Sequence, residues 1–71
     1  MKMRFVYSSC VRALAYDERT KELHIRYTSS PKVYVYRGVP RRVYEELKSA
    51  ESVGKYVNRH IKRVYRSFYS Q

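Results

Sequence analysis

The chain has one cysteine, no tryptophan, two glycines, two prolines and six acidic residues among 71. A single thiol, Cys10, cannot close an internal disulfide, and secreted domains this small usually lean on roughly two to four. The expected setting is therefore intracellular and cytoplasmic. No apolar run approaches the roughly 18 residues that a membrane span needs. Near the start, Lys2 and Arg4 precede Phe5, Val6 and Tyr7, but Ser8, Ser9 and Arg12 cut that run short of a signal-peptide core. Amides are scarce too, Asn58 and Gln71 alone. Beside many Arg, Lys and Glu, that scarcity points to a hot habitat.

The catalytic inventory is equally thin. It comprises Cys10, His24, His60, Asp17 and five glutamates. Catalysis needs a nucleophile with its base, paired carboxylates or a metal set. No metal-ligand spacing is present. Cys10 and His60 could meet in space, but a lone small cysteine is usually packed. The expectation is no enzyme, no catalytic residues, no cofactor and no metal.

What is present is positive charge and tyrosine. Sixteen Lys and Arg leave a net charge of +10, above the roughly 2–8 charges that suit a small domain. Such self-repulsion costs stability unless a polyanion or anionic surface neutralises it. Apolar residues at 44% and aromatics at 15% are too many for a disordered basic tail. A chain of this length buries only roughly 60% of its unfolded surface, which allows one domain and a modest core.

Along the chain, 1–7 reads as a basic arm or lead-in strand, and Val11 to Tyr16 as a first strand. Asp17 to Thr20 has turn character. Glu22 to Thr28 alternates, with Leu23, Ile25 and Tyr27 on one side and Glu22, His24, Arg26 and Thr28 on the other. Ser29, Ser30 and Pro31 suit a hairpin connection. A third strand, Lys32 to Arg37, sets Tyr34 and Tyr36 against Val33 and Val35. Links this short demand antiparallel neighbours. Val11 and Leu14, both expected inward at odd spacing, predict a bulge in the first strand. Gly38-Val39-Pro40 ends the sheet, with Pro40 suited to a helix start. Arg41 to Lys48 carries Val43, Tyr44 and Leu47 at helical spacing. Ser49 or Ser52 would cap a second helix, running to about Tyr65 or Phe68. Gly54 near its start suggests close approach to another backbone.

The spacing therefore predicts an α+β domain: a three-stranded antiparallel β-meander followed by two helices packed on one face, in the order βββαα. The domain would span 8–68, with 69–71 as a tail. On the second helix, at about 100° per residue, Lys55, Arg59, Lys62 and Arg66 form a stripe about 60° wide, with Arg63 at its edge. Val57, Ile61, Val64 and Phe68 fall opposite. Like charges at i,i+4 cost about a few tenths of a kcal/mol each, and no acid on this helix relieves them.

These residues resemble the KTSC domain, a small domain found at the C-terminus of some lysyl-tRNA synthetases and as a stand-alone protein. The positions that carry the resemblance are Ser8-Ser9 with Val11, Tyr16-Asp17, and Leu23, Ile25 and Tyr27. They continue through Tyr34-Val35-Tyr36, Val39-Pro40, and Tyr44, Leu47 and Ala50. Ser52-Val53-Gly54-Lys55-Tyr56, Asn58, Ile61 and Tyr65 complete them. The match runs from about Ser8 to Tyr65. Ala15 and Ser30-Pro31 stand where the family usually has glycine. The resemblance implies RNA binding as the suggested family role, with no settled activity.

The expected function is a small basic nucleic-acid-binding domain. It would contact RNA or single strands through phosphates, with little sequence specificity. The candidate contacts are Lys55, Arg59, Lys62, Arg63 and Arg66 on the second helix, and Arg41 and Arg42 at the start of the first. Arg26 and Arg37 join them on the second sheet face, beside His24, Val33 and Val35. Tyr34 and Tyr36 either stack on bases or belong to the core, and the core reading is favoured because the helices must cover one face. Asn58 is expected to bind a nearby loop backbone. Ser8, Ser9 and Asp17 are expected as turn and strand-end partners. The competing class is a protein-interaction or dimerisation module, with an acidic protein partner or a homodimer through edge strands or the sheet face.

Overall fold

The structure is a computed structural model describing residues 3–6 and 8–70. Met1, Lys2, Tyr7 and Gln71, parts of the expected arm and tail, lie outside the described residues. Five strands form one antiparallel sheet in sequential order. They are β1 (Arg4–Phe5), β2 (Val11–Asp17), β3 (Glu22–Tyr27), β4 (Val33–Arg37) and β5 (Ser67–Ser70). Between β4 and β5 come α1 (Arg41–Ser49) and α2 (Val53–Tyr56), the latter widening into a π-helical turn over Val57–Ile61. No helix of the described residues is long and apolar enough to cross a membrane.

The α+β class is as expected, but the sheet has five strands and not three. Arg4–Phe5 pairs with Leu14 and Ala13 of β2, so of the two readings of 1–7, arm or lead-in strand, these residues take the strand. The larger correction is at the other end. The second helix stops at Ile61, and Ser67–Ser70 pairs antiparallel with β4. Tyr69 and Ser70, expected in a tail, therefore belong to the sheet. The apolar spacing of Val57, Ile61, Val64 and Phe68 fits a continuing helix, and no glycine or proline interrupts it. What competes is the edge of β4, whose N–H and C=O groups can pair with a further strand instead of with water. The chain turns within 62–65 and supplies that strand.

The core lies between the sheet and the helices. Val11, Leu14, Leu23 and Ile25 meet Val39, Val43, Leu47, Val57 and Ile61 there, all buried. The pairing register shifts between Val11 and Ala13, which is the predicted bulge. It lets both Val11 and Leu14 face inward. Tyr16 closes one side of the core: its hydroxyl donates to the Val39 carbonyl at 2.5 Å, and its ring stacks on Tyr44 at 5.0 Å.

Local chemistry sets the turns and caps. Asp17 Oδ1 accepts the backbone N–H groups of Arg19 and Thr20, shaping the β2–β3 turn. Lys21 completes that turn at φ 62°, a left-handed conformation that a side chain disfavours. Ser52 is the cap of α2, its hydroxyl accepting the Lys55 N–H at 3.3 Å. Ser49 instead donates to the Glu45 carbonyl within α1. Gly54 is buried, but its neighbours are side chains. A Cβ there would lie 3.5 Å from Cys10 Cβ and 3.7 Å from Ser8 Oγ, ordinary contact.

Candidate functional site

With both helices on one side, the other side of the sheet is bare. Side chains alternate along each strand, so the register assigns the bare face. One row runs Phe5, Ala13, Arg26, Val33 across β1 to β4. The next runs Ala15, His24, Val35, Phe68 across β2 to β5. A third sets Asp17 and Glu22 beside Arg37. Ala13, Ala15 and Val35 are buried, whereas Phe5 is 76% and Phe68 43% exposed. The face therefore has a small-residue floor and two raised aromatic rings. The Arg37 guanidinium lies 4.6 Å from the Phe68 ring centroid, cation–π distance. Phe5, Arg12, Arg26 and Pro31 line a groove at the other end. Of the two acids in that third row, Glu22 is drawn toward Arg37 at 3.8 Å and His24 at 3.5 Å, while Asp17 accepts from its own turn.

The expected four-cation stripe is broken. Lys55, Arg59, Lys62 and Arg63 are exposed along α2, the π turn and the turn after it. Arg66 has left the helix, and its carbonyl accepts the Arg37 N–H at the β4–β5 end. The apolar side is cut at the same place: Val64 is 62% exposed, and Phe68 sits on the bare sheet face. Among the described residues, none of these five cations has an ion-pair partner. Glu18, Glu22 and Glu45 are engaged elsewhere. Arg41 is bound by Glu18 and by Glu45, and Lys48 also meets Glu45. That occupies Arg41, so of the phosphate site expected of Arg41 and Arg42 it is Arg42 that has no ion-pair partner among the described residues.

Tyr34 and Tyr36 both face the helices. Tyr36 is 3% exposed, and its hydroxyl shares a 2.8 Å hydrogen bond with that of Tyr27. Tyr34 is half-buried, edge-on to Tyr27 at 5.3 Å and tilted against Tyr69 at 5.5 Å. Desolvation, then the mutual hydrogen bond, pushes the Tyr27 phenol far above its usual range; burial also raises Tyr36. Both stay neutral near pH 7.

A cleft of about 670 Å³ opens on this helix-bearing side. The segment leading into β2 supplies Ser9 and Cys10, the end of β3 and the residue after it Tyr27 and Thr28, and the π turn Asn58, with Lys62 just beyond. Two expectations change here. Cys10 is exposed rather than packed. Asn58 is exposed, and its amide has no hydrogen bond among the described residues, so it does not hold a loop backbone. Thr28 does that work, its hydroxyl donating to the carbonyls of Ser9 and Cys10. Ser8 is a turn partner as expected, accepting the N–H groups of Cys10 and Val11.

Sequence reasoning missed Phe5 and Phe68 as surface rings and missed the cleft entirely. The pairing of Phe68 with Val35 depends on which edge β5 joins. The alternation Ser67-Phe68-Tyr69-Ser70 was the available signal.

A small α+β domain with a meander sheet and helices on one side is thus defined. The KTSC domain model matches residues 7–65. The chain belongs to the KTSC domain family. A Tsukamurella paurometabola protein is 37% identical over 65 residues, spanning 92% of this chain and 96% of that one. The crystal structure of a KTSC domain protein from Yersinia pestis superposes with a TM-score of 0.94 at 27% identity. That match covers 99% of this chain and 97% of the other.

Proposed function

We propose that this domain binds single-stranded nucleic acid, RNA foremost, on the helix-free face of its sheet and with little sequence specificity. The observation that carries the reading is the company kept on that face: two exposed phenyl rings, Phe5 and Phe68, among Arg12, Arg26 and Arg37. Single strands are held by this combination, rings under unstacked bases and cations along the backbone. The unpaired cations of α2 and the π turn add a long-range field that draws a polyanion in. A homodimer through the same face would bring Arg26 and Arg37 of two strongly basic chains together, which disfavours that alternative.

The test is a titration with RNA, single-stranded DNA and duplex DNA at several salt concentrations. Affinity for single strands falls as salt rises. Replacing Arg26 and Arg37 by Ala reduces the slope of log K against log salt by about 1.4 if each meets one phosphate. Phe68→Ala weakens binding with the slope intact. If the Lys55→Ala, Arg59→Ala double variant flattens the slope and the Arg26, Arg37 variant does not, the strand runs over the helix and the sheet-face reading fails.

A further inference from the structure

We infer that the cleft on the opposite side of the sheet is a second, separate site, built for a phosphomonoester carried by a nucleotide. The charge of its walls is the first argument. Among the described residues lining the cleft, Lys62 is the one formally charged side chain and none is a carboxylate. The Lys62 ammonium stands 4.9 Å from the Tyr27 ring centroid, and among the described residues it meets no acid. The ligand that complements it is an anion.

The second argument is the donor set. Asn58 lies one turn before Lys62 on the same segment, and its amide has no hydrogen bond among the described residues. Across the cleft, the Ser9 hydroxyl has only a 3.7 Å contact with Cys10 Sγ. An ammonium, an amide and a hydroxyl around one opening suit the several oxygens of a phosphate. The phenols of Tyr27 and Tyr36 are held neutral by desolvation, so they add no negative charge against it.

Size supplies the third. The volume of about 670 Å³ far exceeds a bare phosphate and lies within the roughly 300–1,000 Å³ of small-molecule sites. The rest of the wall is aromatic. Tyr27 and Tyr34, both half-buried, present rings beside the polar end, with Tyr36 behind them, a surface on which a nucleobase can rest. The positions that carry the family resemblance gather here as well: Ser9, Tyr27, Tyr34, Tyr36, Gly54 and Asn58 all line this opening. The phosphomonoester has two sources, a free nucleotide or the phosphorylated end of a strand.

Cys10 is the only cysteine of the chain and lines the cleft, so its alkylation rate reports occupancy in the unmodified protein. The probes are adenosine monophosphate, adenosine, and a short single strand ending in either a phosphate or a hydroxyl. Adenosine monophosphate or the phosphorylated strand slows Cys10 alkylation, and the phosphate-free counterpart does so at least about tenfold less effectively. Protection by the mononucleotide alone identifies a free nucleotide as the ligand; protection by the phosphorylated strand alone identifies a strand end. Lys62→Gln and Asn58→Ala, both at exposed positions, each weaken protection by about tenfold or more. The Arg26→Ala, Arg37→Ala variant keeps it, which separates this site from the sheet face. Absence of protection by either phosphorylated probe overturns the inference. So does equal protection by the phosphate-free probes, or full protection in Lys62→Gln.

Discussion

Asp17 shows how one side chain sets a turn. Desolvation works to raise its carboxyl, but the N–H groups of Arg19 and Thr20, the Thr20 hydroxyl and the Arg19 charge outweigh it and hold it below the ordinary range. A carboxyl depressed by folding contributes stability that is present above its unfolded value, 3.8, and lost as pH falls through the folded one. Asp17→Asn therefore flattens the acid limb of a stability–pH curve followed by circular dichroism. Gly54 makes the opposite point. A methyl group at that position meets Cys10 and Ser8 at ordinary distances, and alanine gains up to about 1 kcal/mol of helix propensity. Gly54→Ala is thus at least as stable as the parent in thermal melts, whereas Gly54→Leu is destabilised. Had the glycine been demanded by a touching backbone, alanine would fail as well.

At the scale of elements, the α2 segment is informative because its pattern misleads. Val57, Ile61, Val64 and Phe68 keep helical spacing, yet only the first two are buried. The π-helical turn brings the Lys62 N–H to the Val57 carbonyl at 2.9 Å, adding a residue to that turn and rotating the chain beyond it. Ile61→Ala is expected to cost about 2–5 kcal/mol in urea denaturation, while Val64→Lys changes stability by no more than about 0.5 kcal/mol. A large loss for Val64→Lys would restore the continuous helix. The alternation of β3 and β4, by contrast, was legible in sequence. Leu23 and Ile25 had to share one face because a strand has only two, Tyr36 was favoured for that face because the helices must cover it, and the short hairpins left no room for a crossover.

For the whole molecule, the distribution of charge matters more than its sum. Glu18, Glu22 and Glu45 are engaged with Arg41, Arg37 and Lys48. The cations from Lys55 to Arg66 have no such partners among the described residues. Added salt or a polyanion should therefore raise the melting temperature by relieving self-repulsion, and a short RNA should do so at lower concentration than sodium chloride. Alkali acts through the phenols. Burial, then the hydrogen bond to Glu46, raises Tyr56 to about 12, and burial raises Tyr36. Phenols raised by folding lend stability that is full below the ordinary phenol value of 10.0 and lost as pH climbs through the folded values. Unfolding by base is accordingly expected to set in above that value, and Tyr56→Phe, which loses the hydrogen bond to Glu46, is less stable near neutral pH but flatter on the alkaline limb.

Sequence by itself determined the class, the core strands, the first helix, the bulge and the basic excess. Each of those rests on periodicity or short connections, which are local. The fate of residues 62–70 was decided only in three dimensions. There pairing with β4 prevailed over helical spacing, because it joins residues far apart in sequence, setting Tyr69 against Tyr34 at 5.5 Å and Phe68 under Arg37 at 4.6 Å. That choice moved Phe68 from an expected core to the bare face, dismantled the cation stripe and left Lys62 beside Asn58 at the mouth of the cleft. The tyrosine motif obeyed the same rule. Its rings were readable as core from strand alternation, but that they also wall a cleft depends on where β2, β3 and the π turn meet.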